Sequence, residues 1–251
     1  MTWLLDLDGV VWLTGNAIAG SAHAIERLRN SGQRVVYFTN NSAPTMAQHL
    51  AALAEVGIVA GAEEILTSSQ AAASLLEAGS TAAVIGGPGV TEALIAHGVE
   101  VVPAHAHPTA VVVGRTTNLS FDELSAAATA IRAGARFVAT NTDATMPTPA
   151  GPVPGAGAII AFLQVATGVE PLVAGKPAPA AAVLVAQRLG LVEVSIGDRP
   201  DTDGLFAQAT KSRFGLVLSG VTKAADLPVV PTPDLIGATL ADIVDQELGP
   251  E

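Results

Sequence analysis

The composition of this 251-residue chain excludes several classes of protein before any motif is read. The chain carries 12 Lys+Arg against 23 Asp+Glu, a net charge of −11, and it contains no cysteine. Hydrophobic residues make up 49% and charged residues 14%, which is the opposite of a disordered composition. The lack of cysteine excludes a disulfide scaffold and a thiolate zinc site, and the acidic balance argues against nucleic-acid binding. The length suits one large domain or two small ones.

Two features of the sequence bear on secretion and membranes. Residues 1–6 have no basic region before the first carboxylate, so we expect no secretory signal. The charge-free stretch 144–169 is interrupted by four prolines, and the remaining 155–169 is shorter than the about 20 residues of a spanning helix. We therefore expect a buried helix over 155–169, a cytoplasmic protein and no membrane partner.

Short apolar runs alternate with amphipathic stretches, which predicts an α/β fold with a largely parallel sheet. The predicted strands are 3–7, 34–38, 82–85, 110–113, 136–139, 192–196 and 214–218. The predicted helices are 22–30, 45–56, 68–78, 121–133 and 178–189. Ser42 followed by Pro44 predicts a helix start, and the glycine-rich segment 86–89 is interpreted as a turn.

Two carboxylates, Asp6 and Asp8, lie at the end of the first predicted strand. In open α/β sheets ligands bind at the carboxyl ends of strands, and alternate residues of a strand point to the same side. Adjacent carboxylates repel each other, and a divalent cation such as Mg²⁺ is the simplest compensation. An exposed acidic turn is the alternative interpretation of this pair.

Three further polar segments follow predicted strands or precede helices. The segment 39–42 offers a hydroxyl, amides and backbone N–H groups to an anion before a helix start. Lys176 is held between glycine and proline in a loop, from which it could reach a phosphate or Asp6. The segment 197–204 carries three aspartates just after a strand, which suits a metal site. Each segment alone is compatible with a capping turn, a surface lysine or a solvated loop, but their order along the chain favours a common site.

These motifs together resemble those of the haloacid dehalogenase (HAD) superfamily, and within it subfamily IIA, the NagD and para-nitrophenylphosphatase-like group. The matching segments are DLDGV (6–10), TNNS (39–42), GKP (175–177), GDRPDTD (197–203), TSSQ (67–70), ATNTDA (139–144) and LSGVT (218–222). The resemblance covers nearly the whole chain. It implies a HAD-like Rossmannoid core with a parallel sheet, formed by residues 1–78 and 174–251, and an inserted type-2 α/β cap domain over residues 79–173.

The resemblance also implies an activity, that of a Mg²⁺-dependent phosphatase. Its substrates would be small phosphate monoesters such as sugar phosphates, nucleotide monophosphates, phosphoglycolate or para-nitrophenyl phosphate. Asp6 would be the nucleophile that forms a phosphoaspartyl intermediate, and Asp8 would act as general acid and then as general base. Mg²⁺ would be held by Asp6, the backbone carbonyl of Asp8, and Asp198, with Asp203 helping through water or hydrogen bonds.

The remaining implied roles concern the phosphate and the leaving group. Thr39, the backbone of Asn40 and Lys176 would bind the phosphate, and Lys176 would neutralise charge on the intermediate. Asn141 and Asp143 could contribute specificity, although a structural loop explains them equally well. The cations in the predicted cap are Arg115, Arg132 and Arg136, a small number that favours substrates with a single phosphate.

Two alternative functions remain at this point. A haloacid dehalogenase shares the aspartate nucleophile, but its chemistry needs no metal, and Asp8 and the segment 198–203 argue against it. A non-catalytic phospho-accepting signalling module is disfavoured by the Asp6/Asp8 pair and the long cap. A homodimer is left open. His105 and His107 are interpreted as a surface loop, and Trp3 and Trp12 as packing residues.

Overall fold

The computed structural model describes residues 1–13, 15–146 and 151–250, and it is a mixed α/β structure with two parallel sheets. The strands are β1 (Thr2–Leu5), β2 (Trp12–Leu13), β3 (Asn16–Ala17), β4 (Arg34–Thr39), β5 (Ile65–Thr67), β6 (Thr81–Ile85), β7 (Glu100–Val101), β8 (Ala110–Val113), β9 (Arg136–Ala139), β10 (Thr145–Met146), β11 (Val153–Pro154), β12 (Leu172–Val173), β13 (Val194–Gly197), β14 (Arg213–Val217) and β15 (Leu235–Gly237). The helices are α1 (Ser21–Asn30), α2 (Met46–Glu55), α3 (Ser68–Ala73), α4 (Pro88–Ala96), α5 (Phe121–Arg132), α6 (Ala156–Thr167), α7 (Pro179–Leu189), α8 (Leu205–Thr210) and α9 (Leu240–Leu248).

The chain divides into two compact units. The first unit comprises Met1–Thr39, Ala47–Leu66 and Val185–Glu251, and the second comprises Asn40–Met46 and Thr67–Leu184. The predicted cap, residues 79–173, lies within the second unit. The domain boundaries themselves stay a prediction.

The first unit is built on a six-stranded sheet of order β15-β14-β13-β1-β4-β5. Strand β1 lies inside this sheet and pairs in parallel with β13 and β4. Three consecutive β1 residues, Trp3 to Leu5, are buried, as expected for a strand covered on both faces. Leu5 is in register with Ile196 of β13 and Tyr37 of β4, so the residues that follow these strands meet at one edge of the sheet.

The second unit is built on a five-stranded sheet of order β12-β9-β8-β6-β7, whose neighbouring strands are all parallel. A cluster of buried apolar side chains from β6, β8, β9, α5 and α6 forms its core. Helix α5 begins where the Ser120 hydroxyl accepts a hydrogen bond from the Glu123 N–H. Acidic residues in its first turn and Arg132 in its last complement the helix dipole.

Several predicted bounds are wrong, each for a local physical reason. The first strand ends at Leu5 and not at residue 7, because the N–H groups of residues 10, 11 and 12 all turn back to the Leu7 carbonyl. Helix α3 ends at Ala73 and not at residue 78, where i→i−3 hydrogen bonds replace the helical pattern. The segment 86–89 is not a simple turn, since Pro88 begins α4 after the extended Gly87. Ser42 does not begin a helix, because α2 starts only at Met46.

Helix α6 confirms the helix expected over 155–169. It is buried on one face and not all round, as the prediction of a buried helix implied. Ile159, Ile160 and Leu163 are buried in the core of the second unit. On the opposite face, Phe162 is 40% and Val165 is 88% exposed. Within the described ranges, every helix is too short or too polar to span a bilayer.

Arg213 of β14 and Glu247 of α9 form a bidentate ion pair in the first unit, with N–O distances of 2.9 and 2.7 Å. The hydrogen bond from Arg213 holds the pKa of Glu247 below its usual value. A carboxyl whose pKa is lowered by folding stabilises the protein above its unfolded-state pKa, and this stabilisation is lost as the pH falls through the folded-state pKa.

We therefore expect Glu247→Gln to lower the free energy of unfolding by about 0.5–1 kcal/mol at neutral pH, a typical value for a partly exposed pair. The difference from the wild-type protein should shrink progressively below about pH 4, where the unfolded carboxyl protonates. Urea denaturation over a pH series measures this, and a difference that is constant with pH would contradict it.

Candidate active site

Three carboxylates converge in the first unit, at the edge of the sheet where β1 and β13 end. One oxygen from each of Asp6, Asp198 and Asp203 lies within 4.8 Å of the others. The N–H of Asp6 donates to the Ile196 carbonyl at 2.9 Å, which extends the sheet pairing beyond the end of β1. Asp198 and Asp203 are each only 3% exposed. Buried carboxylates this close repel each other unless a cation lies among them, and an all-oxygen donor set fits Mg²⁺.

Backbone groups fix the orientation of the two buried aspartates. Val221 donates its N–H to Asp198 Oδ2 at 2.5 Å, and Arg199 donates its N–H to Asp203 Oδ2 at 3.1 Å. Asp203 belongs to a single wide helical turn, Pro200–Gly204, that follows β13. Each aspartate therefore has one carboxylate oxygen engaged by the backbone.

Three glycines pack directly against these carboxylates. A Cβ atom at Gly220 would lie 2.0 Å from Asp198 Oδ2, and one at Gly197 would lie 2.1 Å from Asp203 Cγ. Gly9 has a φ of +85° and its Cβ would lie 2.5 Å from Asp198 Cγ. Any larger residue at these positions would displace an aspartate, so the glycines shape the cluster.

Asp8 lies in the tight turn that follows β1, beside Trp12. The indole Nε1–H of Trp12 donates to Asp8 Oδ1 at 3.0 Å. The turn is closed by the Gly9 N–H, which donates to the Trp12 carbonyl at 2.7 Å, and by Ser219, whose hydroxyl donates to the Gly9 carbonyl at 2.6 Å. Asp8 therefore leaves the strand direction but is held by a hydrogen-bonded turn.

Thr39 ends β4 at the same edge of the first unit's sheet. Its side chain is 1% exposed. The preceding residue, Phe38, packs on Phe206 of α8 with ring centroids 5.2 Å apart, which anchors this end of the strand. Thr39 is thus buried at a strand end whose neighbouring residue is packed against α8.

The second unit gathers Asn40, Asn141, Asp143 and Lys176 in one hydrogen-bonded cluster. Asn40 Nδ2 donates to the Lys176 carbonyl at 3.1 Å and to Asp143 Oδ2 at 3.3 Å, and Asn40 Oδ1 accepts from the Lys176 N–H at 2.9 Å. Asn141 Nδ2 donates to the Asn40 carbonyl at 2.7 Å, and Asn141 Oδ1 accepts from the Asp143 N–H at 3.1 Å. Lys176 is only 5% exposed.

Gly175 allows this cluster to close. A Cβ atom there would lie 2.5 Å from the Thr140 carbonyl and 2.6 Å from Asn40 Oδ1. The Asn40 side chain therefore holds the backbone of the loop at Lys176 through two hydrogen bonds. The sequence analysis assigned a role only to the backbone of Asn40.

The structure brings together Asp6, Asp198 and Asp203 as the sequence predicts, but it adds partners that the sequence did not reveal. Trp12 is a hydrogen-bond donor and not only a packing residue. Ser42 bonds Thr140 through their hydroxyls at 2.9 Å instead of capping a helix. A tryptophan three residues after Gly9 was the only sign in the sequence that Trp12 has a role in the site. The geometry of the turn shows that its hydrogen-bond partner is Asp8.

Comparison with known proteins adds family relationships to this geometry. Residues 3–100 match the family model described as haloacid dehalogenase-like hydrolase, and residues 173–243 match the model described as HAD-hydrolase-like. D-glycerol 3-phosphate phosphatase of Mycobacterium tuberculosis is 37% identical over 229 residues, which are 89% of this chain and 64% of that protein. This chain therefore spans less than two thirds of that relative's length.

A further relative and a solved structure are matched over more of their own length. Dihydroxyacetone phosphatase of Corynebacterium glutamicum is 34% identical over 255 residues, which are 98% of this chain and 91% of that protein. The crystal structure of M. tuberculosis glycerol phosphate phosphatase in complex with magnesium is 35% identical, with a TM-score of 0.89. The alignment covers 96% of this chain and 75% of that one.

Proposed function

The chain belongs to the haloacid dehalogenase-like hydrolases, and on this premise we propose that it is a Mg²⁺-dependent phosphatase of small phosphate monoesters. The observation that carries the proposal is the convergence of Asp6, Asp198 and Asp203 at one sheet edge. A cluster of three carboxylates disfavours the metal-free dehalogenase alternative. The named relatives act on phosphate esters, which supports the same reaction class.

We propose that Asp6 and Asp8 carry out the two chemical steps. A carboxylate oxygen of Asp6 attacks phosphorus while the bond from phosphorus to the leaving oxygen breaks, and Asp8 gives its proton to that oxygen. Water then attacks the phosphorus of the aspartyl phosphate and passes its proton to Asp8. The bond to Asp6 breaks, inorganic phosphate leaves, and both aspartates return to their starting states.

The proposed metal site uses the carboxylate of Asp6, the backbone carbonyl of Asp8, and Asp198, with Asp203 supporting it through water or hydrogen bonds. A Mg²⁺ ion bound there would offset the mutual repulsion of the carboxylates and the negative charge of the phosphate. Oxygen donors at this spacing support the assignment. The orientation of Asp198 and Asp203 by backbone N–H groups is the kind of support that metal ligands require.

The phosphate is proposed to be bound by Thr39, the backbone of Asn40 and Lys176, roles that rest on the family resemblance. Lys176 would neutralise charge that develops on the transferred phosphoryl group. The segment 79–173 is proposed as a cap that excludes water and shapes the leaving-group pocket. Asn141 and Asp143 are retained as proposed specificity residues. Asp143 also has a structural role, because its carboxylate accepts a hydrogen bond from the Asn40 side chain.

We propose that the substrate is a small polyol or sugar phosphate with a single phosphate group. The relatives are named for glycerol 3-phosphate and for dihydroxyacetone. The segment 79–173 has few cations, which agrees with a substrate that carries no second phosphate group. A cytoplasmic location and a homodimer stay predictions that no observation on this chain tests.

A phosphate-release screen tests this function. Purified protein is incubated with glycerol 3-phosphate, dihydroxyacetone phosphate, sugar phosphates, nucleotide monophosphates, phosphoglycolate and para-nitrophenyl phosphate, with and without Mg²⁺. We expect multiple turnovers on one or more of the small esters in Mg²⁺. A single turnover on every ester would instead indicate a phospho-accepting module.

We expect EDTA to abolish this turnover and added Mg²⁺ to restore it, because the carboxylate cluster cannot bind an anionic ester without a cation. Calorimetry should show Mg²⁺ binding to the wild-type protein and protection against thermal unfolding. Turnover that is insensitive to EDTA, or chloride release from a haloacid, would overturn the proposal in favour of the dehalogenase alternative.

A further inference from the structure

We propose that Trp12 is a positioning residue for Asp8, holding one oxygen of the carboxyl group so that the other exchanges the proton with the leaving group and with water. This inference rests on the proposed function, because it assigns a partner to the proposed general acid. It concerns a residue for which the sequence suggested only packing.

The structural basis is a specific hydrogen bond inside a closed turn. Trp12 is 8% exposed, and its Nε1–H donates to Asp8 Oδ1 at 3.0 Å. Residues 8 and 12 also form a backbone bridge, and the Trp12 N–H donates to the Leu7 carbonyl at 3.2 Å. The turn therefore holds the backbone of Trp12 beside Asp8, and the indole N–H is in hydrogen-bond contact with the carboxylate.

The chemistry of the indole decides the role of the carboxyl oxygen that it contacts. An indole N–H can only donate a hydrogen bond and never accepts one. The oxygen that it contacts, Oδ1, is therefore held as an acceptor whether Asp8 is charged or neutral. The proton that Asp8 gives to the leaving oxygen then resides on Oδ2, and the same Oδ2 later receives the proton of the attacking water.

Three backbone N–H groups and one hydroxyl of this turn are engaged with backbone carbonyls. The Gly9 N–H is engaged by the Trp12 carbonyl, and the Ser219 hydroxyl donates to the Gly9 carbonyl. The N–H groups of residues 10 and 11 donate to the Leu7 carbonyl. Removing the indole N–H would leave Asp8 Oδ1 without this partner and its carboxyl plane freer to rotate, so that proton transfer would be misaligned.

The test compares Trp12→Phe with Trp3→Phe on two aryl phosphates. Trp3 is also buried, 2% exposed, and its Nε1 has no hydrogen-bond partner among the described residues, so its replacement removes an aromatic N–H of no proposed function. The substrates are phenyl phosphate and para-nitrophenyl phosphate. They are similar in shape, but the phenolate leaving group needs a proton and the nitrophenolate scarcely does.

For Trp12→Phe we expect kcat/KM on phenyl phosphate to fall roughly tenfold, in line with the loss of a hydrogen bond to a charged group. On para-nitrophenyl phosphate kcat/KM should change by less than about threefold, since this parameter extends only to the first irreversible step, phosphorylation of Asp6. With the same substrate kcat should fall, because Asp8 still has to accept the proton of water. Trp3→Phe should leave the ratio of the two kcat/KM values unchanged.

The ratio of kcat/KM values is independent of the fraction of folded enzyme, because partial unfolding lowers both values equally. An unchanged ratio in Trp12→Phe, or an equal change in Trp3→Phe, would overturn the positioning role. The proposed function is tested separately by replacement of Asp6. If that variant is inactive and the Trp12→Phe ratio is unchanged, only the present inference fails.

Discussion

Replacement of Asp6 by Asn should lower kcat on any phosphate ester by at least about 10⁴-fold, a loss typical of removing a covalent nucleophile. The amide nitrogen and oxygen of Asn are poor nucleophiles, so no aspartyl phosphate can form. The fold should be retained, because Asn has the shape of Asp and the backbone N–H of residue 6 keeps its bond to the Ile196 carbonyl. Steady-state kinetics and thermal unfolding without Mg²⁺ measure the two properties.

Asp201→Asn is the matched control for this experiment. Asp201 belongs to the same acidic segment as Asp198 and Asp203, but its side chain is 69% exposed and pairs with Arg199 at 3.2 Å. We expect activity within about twofold of the wild-type value, because surface ion pairs contribute little. Retention of more than a tenth of the wild-type kcat in Asp6→Asn would exclude Asp6 as the nucleophile.

The fold was predictable from sequence where local pattern and burial agree. Strands β8 and β9 have the predicted bounds, because continuous apolar runs predict strands that are covered on both faces. Helices α4, α8 and α9 were not predicted. Helix α8 has only six residues, Leu205–Thr210, too few for a clear helical period.

The positions of the acidic residues were predictable because the carboxyl ends of parallel strands share one edge. Asp6 and Asp198 each follow a strand, and β1 and β13 are paired in register. The wrong end predicted for the first strand did not affect the predicted position of Asp6. Asp8 leaves the strand direction through the turn at Gly9, whose φ is +85°, a conformation that the sequence alone did not indicate.

The partners of the site residues could not be predicted, because they arise from contacts between distant segments. Ser219 bonds the Gly9 carbonyl across 210 positions of the chain, and Asn40 bonds the Lys176 loop across 136. Gly220 belongs to a matching segment of the sequence, but only the fold shows that its missing Cβ makes room for Asp198. Local periodicity carries no information about such contacts.

The two buried aspartates should differ in how much they contribute to Mg²⁺ binding. Both have one oxygen engaged by a backbone N–H, but Asp203 Oδ2 also lies 3.5 Å from the Thr202 hydroxyl. Asp203 sits in the turn after β13 and is proposed to act through water or hydrogen bonds. Asp198 is proposed as a direct ligand, so the two Asn variants should not be equivalent.

Asp198→Asn should therefore raise the Mg²⁺ concentration needed for half-maximal activity by more than Asp203→Asn does. We expect about 10–100-fold for Asp203→Asn, the usual cost of losing a supporting residue, and a larger increase for Asp198→Asn. Saturating Mg²⁺ should recover part of the kcat in Asp203→Asn. Titration calorimetry with Mg²⁺ measures the affinities directly, and the reverse order would show that Asp203 and not Asp198 is the direct ligand. In each variant the Asn amide oxygen can still accept the backbone N–H, and one negative charge leaves the carboxylate cluster. The free energy of unfolding without Mg²⁺ should therefore fall by no more than about 1–3 kcal/mol, the cost if that hydrogen bond is lost.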